Sequence, residues 1–111
     1  MATTRKEAAP EKGQAKAPDP AGALAQAFLT LRNEDEVRRF LADLCTPGEI
    51  RALAERWHVA GLLAEGALSY RDICQETGVS TATIVRVARF LRDEQFGGYR
   101  LALARQGKDI K

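Results

Sequence analysis

Arg71, Arg86 and Arg89, together with Ser80, Thr81, Ala82, Thr83 and Val85, are the residues whose types and spacing could do chemistry in this chain. That chemistry is recognition rather than bond-making. Arginine forks the O6 and N7 acceptors of guanine, and small apolar groups touch the methyl of thymine. At 100° per residue, Ala82, Val85, Arg86 and Arg89 share one helical face, while Ile84, Val87, Ala88 and Leu91 share the opposite one. No acid stands between Ser80 and Arg92, whereas a solvated helix normally carries acid–base pairs along its outer face. The plain alternative is a core helix with a cationic solvent side.

Such a face needs an element to aim it. Ser69 to Leu91 reads as two short helices broken at Thr77-Gly78-Val79. The first carries Tyr70, Ile73 and Cys74 at helical spacing, and the second carries the apolar face just described. Ser69 and Ser80 stand where an N-cap hydroxyl accepts an orphan amide. Gly78 suits a corner with positive φ. Two helices joined by a short glycine turn are the pattern of a DNA-binding helix-turn-helix.

The preceding chain supplies a scaffold. Met1 to about Pro20 is rich in Ala, Lys, Glu and Pro and is expected to be a disordered tail. Leu24, Ala27, Phe28 and Leu31 predict an amphipathic helix, and Val37, Phe40, Leu41 and Leu44 predict a second one capped by Asn33. Thr46-Pro47-Gly48-Glu49 is a helix start with Thr at N-cap, Pro at the first helical position and Glu at N3. The helix it opens runs from about Pro47 to Glu65 and ends at Gly66. Its apolar arc of Ile50, Leu53, Ala54, Trp57, Ala60 and Gly61, widened by Leu62 and Leu63, predicts a central helix packed on two sides. Gly61 within it costs about 1 kcal/mol relative to Ala, which a close helix crossing would explain. Gly97-Gly98 and then Tyr99, Leu101, Ala102 and Leu103 predict a last short helix before a basic tail at 107–111. The domain, at 21–106, is expected to be all-α with about six helices.

Composition narrows the function classes. A chain of 111 residues with net charge +2 is no polycation, but its charge is unevenly spread. Residues 34–49 carry five acids against two arginines, and residues 69–92 carry four arginines against two acids. One surface facing an anion fits that asymmetry. Many of the apolar residues are alanines, and a core so thin gains by oligomerising. Cys45 and Cys74 each sit in an apolar helical pattern, so they read as core thiols rather than a disulfide or metal pair. With one histidine, His58, no zinc cluster is expected, and no cofactor is called for. No apolar run approaches the roughly 18 residues of a membrane span, so a cytoplasmic protein is expected.

Leu44 to Leu91 resembles the tryptophan repressor superfamily, and more closely its YerC/YecD-like branch. Leu44, Thr46-Pro47, Glu49, Leu53, Arg56, Leu62-Leu63, Gly66, Ser69, Arg71, Gly78, Thr81-Ala82-Thr83-Ile84 and Arg86 carry the likeness, and Gly97-Gly98-Tyr99 and Leu101-Ala102-Leu103 extend it. The resemblance implies an interlocked homodimer with two recognition helices about 34 Å apart on a pseudo-palindromic operator in double-stranded DNA. It also implies DNA contacts at Arg71, at Ser80 to Thr83 and at Val85, where the repressor has a threonine; Cys74 stands in place of a lysine. Arg89 has no assigned counterpart but points outward on the wheel.

In the repressor the ligand's indole lies between two arginines, matching Arg56 and Arg86, with threonines matching Thr46 and Thr83. Here Val87 replaces a glycine and Phe90 a serine, adding bulk where the ligand sits. Tryptophan is therefore not expected to bind. Arg56 and Arg86 are then expected to lie one buried near Glu49 or Glu55 and the other on phosphate. Two other classes compete. A helical protein–protein interaction module would keep the fold without specific DNA binding. A small all-α dimeric enzyme of the chorismate mutase kind would need a carboxylate-binding arginine on a long N-terminal helix, where this chain has only Arg32 at the end.

Overall fold

The computed structural model describes residues 17–93 and 96–110, and among them six α-helices and no strand. The expected tail over residues 1–20 falls mostly outside the described residues, as does Lys111 of the basic tail. The helices are α1 (Pro20–Leu29), α2 (Glu34–Leu44), α3 (Pro47–Glu65), α4 (Tyr70–Thr77), α5 (Thr81–Arg92) and α6 (Gly98–Arg105). Contacts divide the chain into two compact units, Met1–Phe40 and Leu41–Lys111.

The described part of the first unit holds α1 and the first half of α2. Pro20 sits in the first turn of α1, one residue earlier than the apolar period suggests, because Asp19 accepts from the Gly22 amide at 3.1 Å and starts the helix there. Asn33 Oδ1 accepts from the Glu36 amide at 2.9 Å, and Glu36 Oε1 accepts from the Arg32 amide at 2.8 Å. Glu34, Asp35 and Glu36 crowd the positive end of the α2 dipole, and Arg38 and Arg39 pair with Glu34 and Asp35 one turn on. Phe28 meets Phe40 edge to face with centroids 5.2 Å apart. Neither helix buries a residue fully.

The second unit contains the core. Val59, Ala60, Leu63 and Ala64 of α3, Ile73 of α4, Val79 of the turn, Ile84, Val87, Ala88 and Leu91 of α5, and Leu103 of α6 are all buried. Helix α5 is the hub, packing on α3, α4 and α6. Thr46 and Glu49 form a reciprocal capping box at the start of α3, and Gly66 closes it at φ 74°. Ser69 and Asp72 do the same for α4, which Gly78 ends at φ 75°. That conformation is one an L side chain rarely adopts, so the corner between α4 and α5 depends on glycine.

The structure corrects two expectations for α3. Only one side of its apolar arc is covered within this unit: its C-terminal half packs on the core, while Leu53 and Ala54 stay exposed and Ile50 half-exposed. Val59 and Ala64 take core places that the arc drawn on the wheel omitted. Gly61 meets no close crossing among the described residues of this chain either, since a Cβ there meets nothing within 4 Å. Beyond α6 the chain is not simply a solvated tail. The Lys108 amide donates to the Leu103 carbonyl at 2.9 Å, and Ile110 packs against the core.

Candidate nucleic-acid interface

The turn from α4 to α5 is built from short-range hydrogen bonds that sequence dictates. Thr77 Oγ1 donates to the Ile73 carbonyl at 2.6 Å and accepts from the Val79 amide at 3.1 Å. Ser80 Oγ accepts from the Thr83 amide at 3.2 Å, which caps α5 and lets Thr81 and Ala82 lead the helix. Buried Val79 anchors the turn between these caps. Cys74 Sγ lies 3.3 Å from Thr81 Oγ1, a further tie from α4 to the first residue of α5. A rigid corner of this kind fixes the angle at which α5 projects.

The two faces of α5 divide as the wheel has them. Ile84, Val87, Ala88 and Leu91 are at most 5% exposed. Ala82, Val85, Arg86 and Arg89 are exposed, Val85 at 49%. Ser80 and Thr81 are exposed as well, and Thr83 is half-buried. Arg71 is exposed in the first turn of α4. Tyr70 is also exposed, a correction to its place on the apolar stripe of α4. It lines a shallow groove with Val85, Ala88, Arg89, Arg92 and Asp93, so the aromatic ring borders the basic face. Sequence reasoning missed this because periodicity puts Tyr70 in line with Ile73, although the first residue of a short helix lies at its rim.

Not every arginine of the region is available for an anion. Arg92 Nη2 donates to the Leu63 carbonyl at 3.4 Å, and Arg100 Nε donates to the Leu91 carbonyl at 2.8 Å. These two satisfy carbonyls at the C-terminal ends of α3 and α5, Arg92 tying α5 to α3 and Arg100 tying α6 to α5. Arg71, Arg86 and Arg89 make no ion pair among the described residues, and Arg56, half-buried, makes none with Glu49 or Glu55.

The residues expected to form a vestigial ligand pocket are only partly brought together. A cavity of about 390 Å³ is lined by Arg56, Arg86, Phe90, Phe96, Gly97, Gly98 and Tyr99. Val87 faces the core, and neither Thr46 nor Thr83 lines the cavity. Thr46 caps α3, and Thr83 Oγ1 is bonded to Ser80 Oγ at 3.1 Å. Phe90 carries the Arg86 guanidinium 4.8 Å from its ring centroid and stacks on Phe96 at 6.2 Å. Tyr99 stacks on Trp57 at 6.4 Å. The contribution of Phe96 and Tyr99 was not foreseen; the glycine pair before Tyr99 was the only signal. Gly97 sits at φ 75° and turns the chain so that both rings face the cavity. Among the described residues no group of His, Cys, Asp and Glu could hold a metal ion, and no helix is long and apolar enough to cross a membrane.

Known proteins resemble this chain in sequence and fold. Residues 21–107 match the Trp repressor protein family. The uncharacterized protein YerC of Bacillus subtilis is 50% identical over 68 residues, a match covering 61% of this chain and 64% of YerC. A Trp operon repressor homolog of Chlamydia trachomatis serovar L2 is 40% identical over 77 residues, covering 64% of this chain and 82% of that protein. The crystal structure of a TrpR like protein from Eubacterium eligens superposes with a TM-score of 0.74 at 41% identity, covering 83% of this chain and 93% of the other. With the family match spanning all six helices, this chain belongs to the Trp repressor family.

Proposed function

We propose that this protein is a sequence-specific, DNA-binding transcriptional regulator of the repressor type, acting as a homodimer and without tryptophan as corepressor. The observation that carries the reading is the outer face of α5: exposed Ala82, Val85, Arg86 and Arg89, without an acid, behind an exposed and capped N-terminus at Ser80–Thr83. In this reading the N-terminal half of α5 enters the major groove, Val85 meets a base edge, and Arg71, Arg86 and Arg89 serve phosphate or guanine. The reading is not enzymatic.

The homodimer is supported by apolar surface that one chain leaves uncovered. Leu24, Phe28, Leu29, Leu44, Leu53 and Leu101 are exposed, the largest being Leu29 at 85%. Runs of large exposed apolar residues mark interaction surfaces, and a second copy supplies a matching one. The tryptophan statement rests on Phe90, whose ring already occupies one face of the Arg86 guanidinium. Because the cavity beside it is of small-molecule size, calorimetric titration with tryptophan is a real test. No heat at millimolar ligand is expected, and saturable micromolar binding contradicts that part of the reading.

DNA binding is tested with labelled duplex DNA over a salt series. Affinity should fall steeply with salt, and Arg71→Ala and Arg86→Ala should each weaken binding by about 1–3 kcal/mol while lowering the salt slope by about one. Exposed Val85 and Tyr70 also suit a protein partner. Binding that ignores salt and both arginine changes favours that second reading.

A further inference from the structure

We infer that Phe90 is a positioning residue for DNA binding, ordering the Arg86 guanidinium by a cation–π contact that this chain supplies from within. The inference rests on the DNA-binding reading above and concerns what keeps that face ordered.

An exposed arginine loses much side-chain freedom when it docks on a phosphate. Arg86 is exposed and makes no ion pair among the described residues, so charge pairing does not hold it. What it does have is Phe90, one helical turn on, with its ring centroid 4.8 Å from the guanidinium carbon. Residues i and i+4 share a helix face, so the contact follows from the spacing once both side chains adopt it. The ring also meets a second, largely exposed ring. Phe90 is half-buried and stacks on Phe96 at 6.2 Å with planes 19° apart.

An aromatic face is a suitable holder because it attracts the cation while offering no lone pair of its own. The guanidinium keeps its N–H donors for phosphate oxygens. A carboxylate in the same place would consume those donors and cancel the charge. Leucine at position 90 would fill similar space without the attraction.

The test is a double-mutant cycle on the full-length chain, read as affinity for one duplex at several salt concentrations, with thermal unfolding followed in parallel. Exposed cation–π contacts correspond to about two- to fivefold in affinity. Phe90→Ala and Phe90→Leu should each weaken DNA binding by about that factor and Phe90→Trp should restore it. In an Arg86→Ala background the same changes should have no further effect. Equal losses from Phe90→Leu with and without Arg86, or affinity unchanged by Phe90→Leu, overturn the assignment while leaving the DNA-binding reading intact. If the unmutated chain fails to bind duplex DNA at all, both fall together. Phe90→Leu keeps the experiment decisive should Phe90→Ala unfold, since it preserves apolar volume.

Discussion

Between Pro20 and Phe40 no side chain is fully buried, although Leu24, Phe28, Leu31, Val37 and Phe40 recur at helical spacing. From Leu41 onward, eleven residues from α3, the interhelical turn, α4, α5 and α6 close into one core. The two regions use the same code of caps, periodic apolar residues and dipole-matched charge. They differ in how deeply the apolar side chains are buried among the described residues. The second unit is therefore held by its own packing, and the first presents surface that requires something else to cover it. The proposed homodimer would resolve the difference by letting each copy supply the other's missing partner. It would also place two copies of α5 on one assembly, as a two-fold operator requires.

The comparison can be broken most forcefully in the core. Leu91 is completely buried on α5, so Leu91→Ala should cost about 2–5 kcal/mol in urea unfolding. A loss under 1 kcal/mol contradicts the idea that the second unit carries the stability. A smaller effect of a different kind is expected in the first unit. The double change Leu24→Ser with Phe28→Ser should raise the dimer dissociation constant at least about tenfold in sedimentation equilibrium, roughly 1.4 kcal/mol. Wild-type chain that sediments as a monomer at micromolar concentration sinks the explanation given for the uncovered apolar face. The smallest effect sharpens the comparison by separating charge from packing. Glu34 and Arg38 make a fully exposed pair on α2, and Arg38→Ala should change stability by no more than about 0.5 kcal/mol by thermal unfolding. A larger change means that Arg38 meets a partner on assembly.

Local features of this fold were legible in the sequence because they depend on a few neighbouring residues. Thr46 with Glu49, Ser69 with Asp72's amide, Ser80 with Thr83's amide, Gly66 and Gly78 all do what their types and positions imply. The division of α5 into a buried and an exposed face was equally readable, because twelve residues with a clean period leave little choice. What escaped depends on which side of an element meets another. On α3 the apolar arc is wide enough that periodicity names no unique buried stripe, and packing on α5 and α6 selected Val59 and Ala64 over Leu53 and Ala54. Gly61 invited a crossing that a single chain does not make. Phe96 and Tyr99 reach the cavity beside Arg86 through a glycine-governed reversal, which a residue pattern does not encode in three dimensions.

The central claim is that the outer face of α5 reads duplex DNA in a two-fold arrangement. Selection of bound sequences from a pool of random duplex DNA tests it most directly. Enrichment of an inverted repeat, with half-site centres about one helical turn or a multiple of it apart, is the predicted result. A pool that remains random after repeated selection at moderate salt contradicts it.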